Sequence, residues 1–109
     1  MEKVVLCASS KYEQKFYWNP MFNGFPDQIK NEIKAMSVIF TEDVGGIFQL
    51  EFDEEGSLNM ITSAYDEDLL YDEIGCELKV KQLREEKKDL FRSLEMFYRA
   101  FYMNSDGKA

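Results

Sequence analysis

Apolar and polar residues alternate one for one in two stretches of the chain. In Ile47–Asp53, Phe48, Leu50 and Phe52 fall on one side and Gln49, Glu51 and Asp53 on the other. That is the signature of a half-buried strand. Asp53–Ser57 follows, with Gly56 able to take a positive φ in a turn. Leu58–Tyr65 then returns as the partner strand. In Tyr12–Trp18, Tyr12, Gln14, Phe16 and Trp18 share one side and Glu13, Lys15 and Tyr17 the other. The β-rich run Lys3–Ser9 precedes it, and the intervening Ser-Ser-Lys turns the chain. This predicts a first hairpin.

The remaining pattern has a helical period. Asn19–Pro26 holds two prolines and a glycine and reads as a loop. Pro26 suits the first position of a helix, and Asp27 suits its first turn. Ile29, Ile33, Met36 and Phe40 recur at helical spacing, predicting a helix over 26–41, although Val38-Ile39-Phe40 also fits a strand. From Asp66 to Met103 two seven-residue apolar series run together: Leu83, Leu90 and Phe97, then Val80, Leu94 and Phe101. Lys87 interrupts this stripe. Glu77–Lys81 and Glu95–Arg99 stand as i,i+4 pairs. Gly75 either sits within the helix or divides a short one (66–74) from a long one (76–103). Residues 104–109 read as a frayed tail. The expectation is one α+β domain over 1–109, in the order β-β-α-β-β-α. An antiparallel sheet of about four strands carries two helices on one face, and the C-terminal helix is long.

Composition adds to this reading. The chain has 109 residues, 45% of them hydrophobic and 15% aromatic, enough for one core. The net charge is −8, unevenly spread. Residues 35–78 carry twelve carboxylates and no Lys or Arg, whereas 79–109 carry eight basic groups against five acids. Nucleic acid and anionic membrane are therefore excluded as expected partners. There is no His, so the commonest general base and zinc ligand are missing. Cys7 and Cys76 stand alone and read as reduced, buried thiols. The five-residue apolar run Val4–Ala8 is too short for a leader or a membrane span, which predicts a cytoplasmic protein.

The densest chemistry lies in Ala64–Glu73, where Asp66, Glu67, Asp68, Asp72 and Glu73 interleave with Leu69, Leu70 and Tyr71. As a helix start, Asp66 or Asp68 is the N-cap and the other acids favour the N-terminal dipole. Leu69, Leu70 and Ile74 then face the core. A divalent-cation site is the alternative, with Asp66, Asp68, Asp72 and Glu73 as its ligands. No catalytic constellation and no cofactor motif is present. At the other end, Phe97, Tyr98, Phe101, Tyr102 and Met103 are apolar on more than one helix face, which predicts an interface. The expected function is a non-enzymatic protein-interaction module, homodimeric or bound to another protein. The alternatives are an inhibitor of a basic partner and a carboxylate-rich metal binder.

The segments "FTEDVGGIFQLEFDEEGSL" and "DLLYDEIG" resemble a family of short, uncharacterised proteins from clostridial Firmicutes. The resemblance runs from "KVVLCAS" to "EMFYRAFY" and implies no activity, substrate or site. In size, acidity and the order of strand pair then helix, the chain is also similar to type III secretion chaperones, which bind other proteins.

Overall fold

The computed structural model describes residues 3–103; the expected tail at 104–109 lies outside the described residues. The strands are β1 (Val4–Ser10), β2 (Lys15–Trp18), β3 (Ile47–Phe52) and β4 (Leu58–Ser63). The helices are α1 (Asp27–Val44), α2 (Glu73–Glu86) and α3 (Lys88–Tyr98). A 3₁₀ turn at Pro20–Phe22 and a π-helical turn at Arg99–Met103 complete the order. The strands form one antiparallel sheet, β2-β1-β3-β4. The fold is α+β, as the pattern predicts, with the C-terminal helical run in two pieces.

The register explains which residues are buried. Phe16, Ser9, Phe48 and Thr62 form one row across the sheet, and Trp18, Cys7, Leu50 and Met60 the next. Val4, Phe52 and Leu58 form a third. Phe48, Leu50 and Phe52 are wholly buried. A bulge in β1 between Val5 and Cys7 shifts the alternation, so that Leu6 and Cys7 are both buried. Asn19 satisfies the backbone there: its amide nitrogen donates to the Leu6 carbonyl (3.0 Å) and its Nδ2 to the Val5 carbonyl (2.7 Å). The opposite row, Tyr17, Ala8, Gln49 and Ile61, faces outward with Tyr17 and Ile61 exposed.

Helix α1 lies on the buried face of β1 and β3. It buries Ile33, Met36, Ser37, Phe40 and Thr41, and its small hydroxyls permit close approach to β1. Ser9 Oγ and Thr41 Oγ1 are 2.9 Å apart, and Cys7 Sγ lies 3.9 Å from Ser37 Oγ. Burial pushes the Cys7 thiol up to about 12, against the opposing hydrogen bond from Ser37. The helix continues three residues past the predicted end and stops at Gly45, whose φ is 89°.

The second half departs from expectation. Residues 66–71 are not helical, and neither Asp66 nor Asp68 caps a helix. Asp72 does: its Oδ1 accepts from the Gly75 amide at 3.0 Å. Gly75 therefore sits in the first turn of α2 and divides nothing. The predicted long helix breaks instead at Lys87 (φ −107°, ψ 20°), whose Nζ lies 3.6 Å from Glu32 on α1. That ion pair accounts for a charged residue in the apolar stripe. The pair expected between Glu95 and Arg99 gives way to tertiary bonds. Glu95 Oε2 accepts from the Leu58 amide at the start of β4 (2.8 Å), and Arg99 Nε donates to the Glu55 carbonyl (3.2 Å).

Aromatic rings close the end of the domain where α3 meets the sheet. Tyr98 stacks on Phe52 with centroids 4.0 Å apart and planes 3° from parallel. Phe22, Phe25, Phe97 and Tyr102 complete the cluster in edge and tilted contacts. Replacing Phe52 with Ala should cost about 3–5 kcal/mol in urea denaturation, while Phe101→Ser, which removes one ring contact with Phe97 at an exposed position, should cost no more than about 1.5 kcal/mol.

Candidate protein-binding surface

The loop 64–72 leaves β4 and is held by side chains from elsewhere in the fold. Tyr12, in the turn between β1 and β2, stacks on Tyr65 with centroids 3.9 Å apart. Its hydroxyl donates to Asp68 Oδ2 at 2.6 Å and accepts from the Tyr65 amide at 3.1 Å. Asp68 Oδ1 in turn accepts from the Leu70 amide at 3.2 Å. Two successive turns, Asp68 N to Tyr65 O (3.0 Å) and Tyr71 N to Asp68 O (3.4 Å), shape the loop between these anchors. Tyr71 pins the far end, donating to Cys76 Sγ at 2.9 Å. Its ring lies over Gly46, where a Cβ would come within 2.6 Å of it and of the Ser63 carbonyl oxygen. Gly46 also has φ 70°, so this contact requires glycine twice over.

The loop thus has defined positions and presents its leucines outward. Leu69 is 91% exposed and Leu70 94%. Ile74 (74%) and Leu78 (61%), one turn apart on α2, are exposed as well. The reason is geometric: Cys76 faces the core, which turns Ile74 and Leu78 to the opposite side of the helix. The expectation that Leu69, Leu70 and Ile74 face the core is therefore wrong. It rested on a helix through 66–74 that local bonds to Asp68 replace. Asp66, Glu67, Asp72, Glu73 and Glu77, their neighbours in the chain, are exposed too. Between the end of β4 and the start of α2 lies a cleft of about 370 Å³, lined by Tyr65, Asp66, Asp68, Tyr71, Glu73 and Glu77 among others.

Of the four metal-ligand candidates, Asp68 is engaged by Tyr12 and Leu70, and Asp72 by the α2 cap. Asp66 and Glu73 share the cleft with Asp68, whereas Asp72 is not among its lining residues. Among the described residues, no group of three or more His, Cys, Asp or Glu is placed to hold a metal ion. The aromatic end of the chain is largely covered from within. Tyr98 is buried, Phe97, Tyr102 and Met103 are half-buried, and Phe101 is 63% exposed. A groove of about 280 Å³ between α1 and α2 has Met36, Ile39, Phe40 and Leu83 in its lining. Lys79 pairs with Asp43 there at 3.0 Å.

Both cysteines are buried and unbridged. No helix among the described residues is long and apolar enough to cross a membrane. The class so defined is a small α+β protein with one sheet among its described residues, no histidine, and outward leucines and carboxylates between β4 and the first turns of α2. The chain belongs to the family of unknown function DUF6145, whose model matches residues 3–106. No curated protein and no solved structure matches it.

The sequence offers one signal for this surface. Five carboxylates within ten residues enclose the Leu69-Leu70 pair, and charged groups resist the burial that a core position would impose on them. Tyr12 offers no signal at all, because its partner Asp68 is 56 positions away. Tyr12→Phe keeps the stacked ring and removes the hydroxyl bridge. It should lower the midpoint of urea denaturation and speed hydrogen exchange at the Tyr65 amide. Burial and the neighbouring Cys76 raise Tyr71 from 10.0 to about 12. Its neutral form is thus favoured by folding, a contribution present below pH about 10 and lost as pH rises through about 12. In alkaline difference spectroscopy Tyr71→Phe should remove a late-titrating tyrosine.

Proposed function

We propose that this chain is a non-enzymatic protein-interaction module that engages its partner through Leu69, Leu70, Ile74 and Leu78. One observation carries the reading: two adjacent leucines stand more than nine-tenths exposed on a loop fixed by tertiary hydrogen bonds. A fully buried leucine side chain gains about 1.5–3 kcal/mol over an exposed one. A mobile loop would fold such residues back against the protein. Tertiary hydrogen bonds hold this loop with its leucines outward, and a partner recovers that burial. Placement in the cytoplasm accords with the two unbridged thiols. The aromatic end supports a self-interface less well, because its rings already pack on Phe22, Phe25 and Phe52.

A photo-crosslinking amino acid placed at Leu70 should give one discrete adduct in cells of the native host. The same residue at Ile61, on the open sheet face, should give none. Leu69→Ser/Leu70→Ser should fold with stability within about 0.5 kcal/mol of the parent and abolish the adduct formed from position 74. Equal adducts from positions 61 and 70 would contradict the proposal. An adduct of twice the chain mass would identify the partner as a second copy.

A further inference from the structure

The apolar ridge has a charge setting that narrows its partner. We infer that it binds a basic amphipathic helix of another protein, with apolar residues against Leu69, Leu70, Ile74 and Leu78 and Lys or Arg along its flanks. The inference rests on the protein-binding reading above and adds the chemistry of the partner.

The first ground is shape. Ile74 and Leu78 are four residues apart on α2 and make a ridge of the kind that seats between the ridges of another helix. Leu70 stands three residues before the helix begins and is itself 94% exposed. A partner adding a strand would need the outer edge of β4 instead. The Leu58 amide at the start of that strand is already taken by Glu95.

The second ground is charge. Asp66 and Glu67 on the loop and Asp72, Glu73 and Glu77 around the start of α2 are all exposed. No Lys or Arg occurs anywhere in residues 35–78. Lys79, on α2 beside Leu78, is paired with Asp43 (3.0 Å), and Lys11, in the β1–β2 turn, with Glu42 (3.2 Å). Lys81 is exposed, one turn beyond Glu77. An acidic or neutral helix would leave the rim carboxylates facing like charge or losing water without a counter-charge. A basic one is steered to the ridge and held in one orientation by it.

The third ground excludes a second copy as the main occupant. A two-fold self-interface sets a surface against itself. Here it would press one acidic rim against the other.

Three fluorescein-labelled synthetic peptides test this by anisotropy with the intact chain: an amphipathic Leu/Lys helix, a Leu/Glu helix of the same pattern, and a Lys/Ser peptide of equal charge. The Leu/Lys helix should bind, and the other two at least about tenfold more weakly. Leu69→Ser/Leu70→Ser should weaken that binding about tenfold or more while its circular dichroism stays unchanged. Glu67→Lys/Glu73→Lys/Glu77→Lys should reverse the preference toward the Leu/Glu helix. Equal binding of the Lys/Ser peptide would reduce the site to a polyanion and overturn the inference. So would unchanged Leu/Lys affinity in the charge-reversed variant, or no binding of the Leu/Lys helix. If the Leu70 crosslink persists in any of these cases, the surface binds a protein of other chemistry and only the basic partner is refuted. If the crosslink is also absent, the protein-binding reading falls with it.

Discussion

The phenol of Tyr12 lies flat on Tyr65, and its hydroxyl joins the Asp68 carboxylate to the Tyr65 amide. The position of the loop between β4 and α2 depends on this contact. Two leucines left in water forgo the gain that burial would bring. Against that stand a charge-assisted hydrogen bond, a second hydrogen bond and a ring stack, all made by Tyr12. The outward loop is sustained by these anchors. Tyr71 over Gly46 and the Asp72 cap fix the other end, so that the exposed pair is held from both sides.

The anchors are available because of the sheet. Pairing of β1 with β3 at the centre sets Ser10, Ile47 and Ser63 in one row, so the β1–β2 turn and the end of β4 leave the same end of the sheet and Tyr12 meets Tyr65. All three helices serve one face. The β1 bulge adds a residue to that face, and Ser37 and Thr41 let α1 settle close to Cys7 and Ser9. At the far end the aromatic cluster absorbs most of the apolar surface of α3. The large apolar side chains left exposed around the start of α2 therefore have no intramolecular use, and this separates them from the rings near Phe52.

Much of this fold is legible in the sequence. The alternation of Phe48, Leu50 and Phe52 with Gln49, Glu51 and Asp53 fixes β3 and its buried face, and Gly56 marks the turn to β4. Helix α1 follows from Ile29, Ile33, Met36 and Phe40. The reading fails where local and tertiary preferences compete. Residues 66–74 have helical spacing, but Asp68 bonds to the Leu70 amide and to Tyr12, and the helix begins only after Asp72. Lys87 reads as a charge in an apolar stripe, but the pattern predicts a helix running through it; the break goes unread, and its ion-pair partner Glu32 lies on another helix. The candidate surface was therefore half legible: its carboxylates stand out in the sequence, while the exposure of its leucines is set by a tyrosine far away in the chain.

The central claim is that Leu69 and Leu70 are rigidly held and fully exposed at once. Solution NMR of the isolated chain tests both halves together. Backbone order parameters over 65–71 should match those of β3, at about 0.85. The methyl signals of Leu69 and Leu70 should also broaden strongly with a soluble paramagnetic agent. Order parameters below about 0.6, or leucine methyls shielded from the agent, would contradict the account.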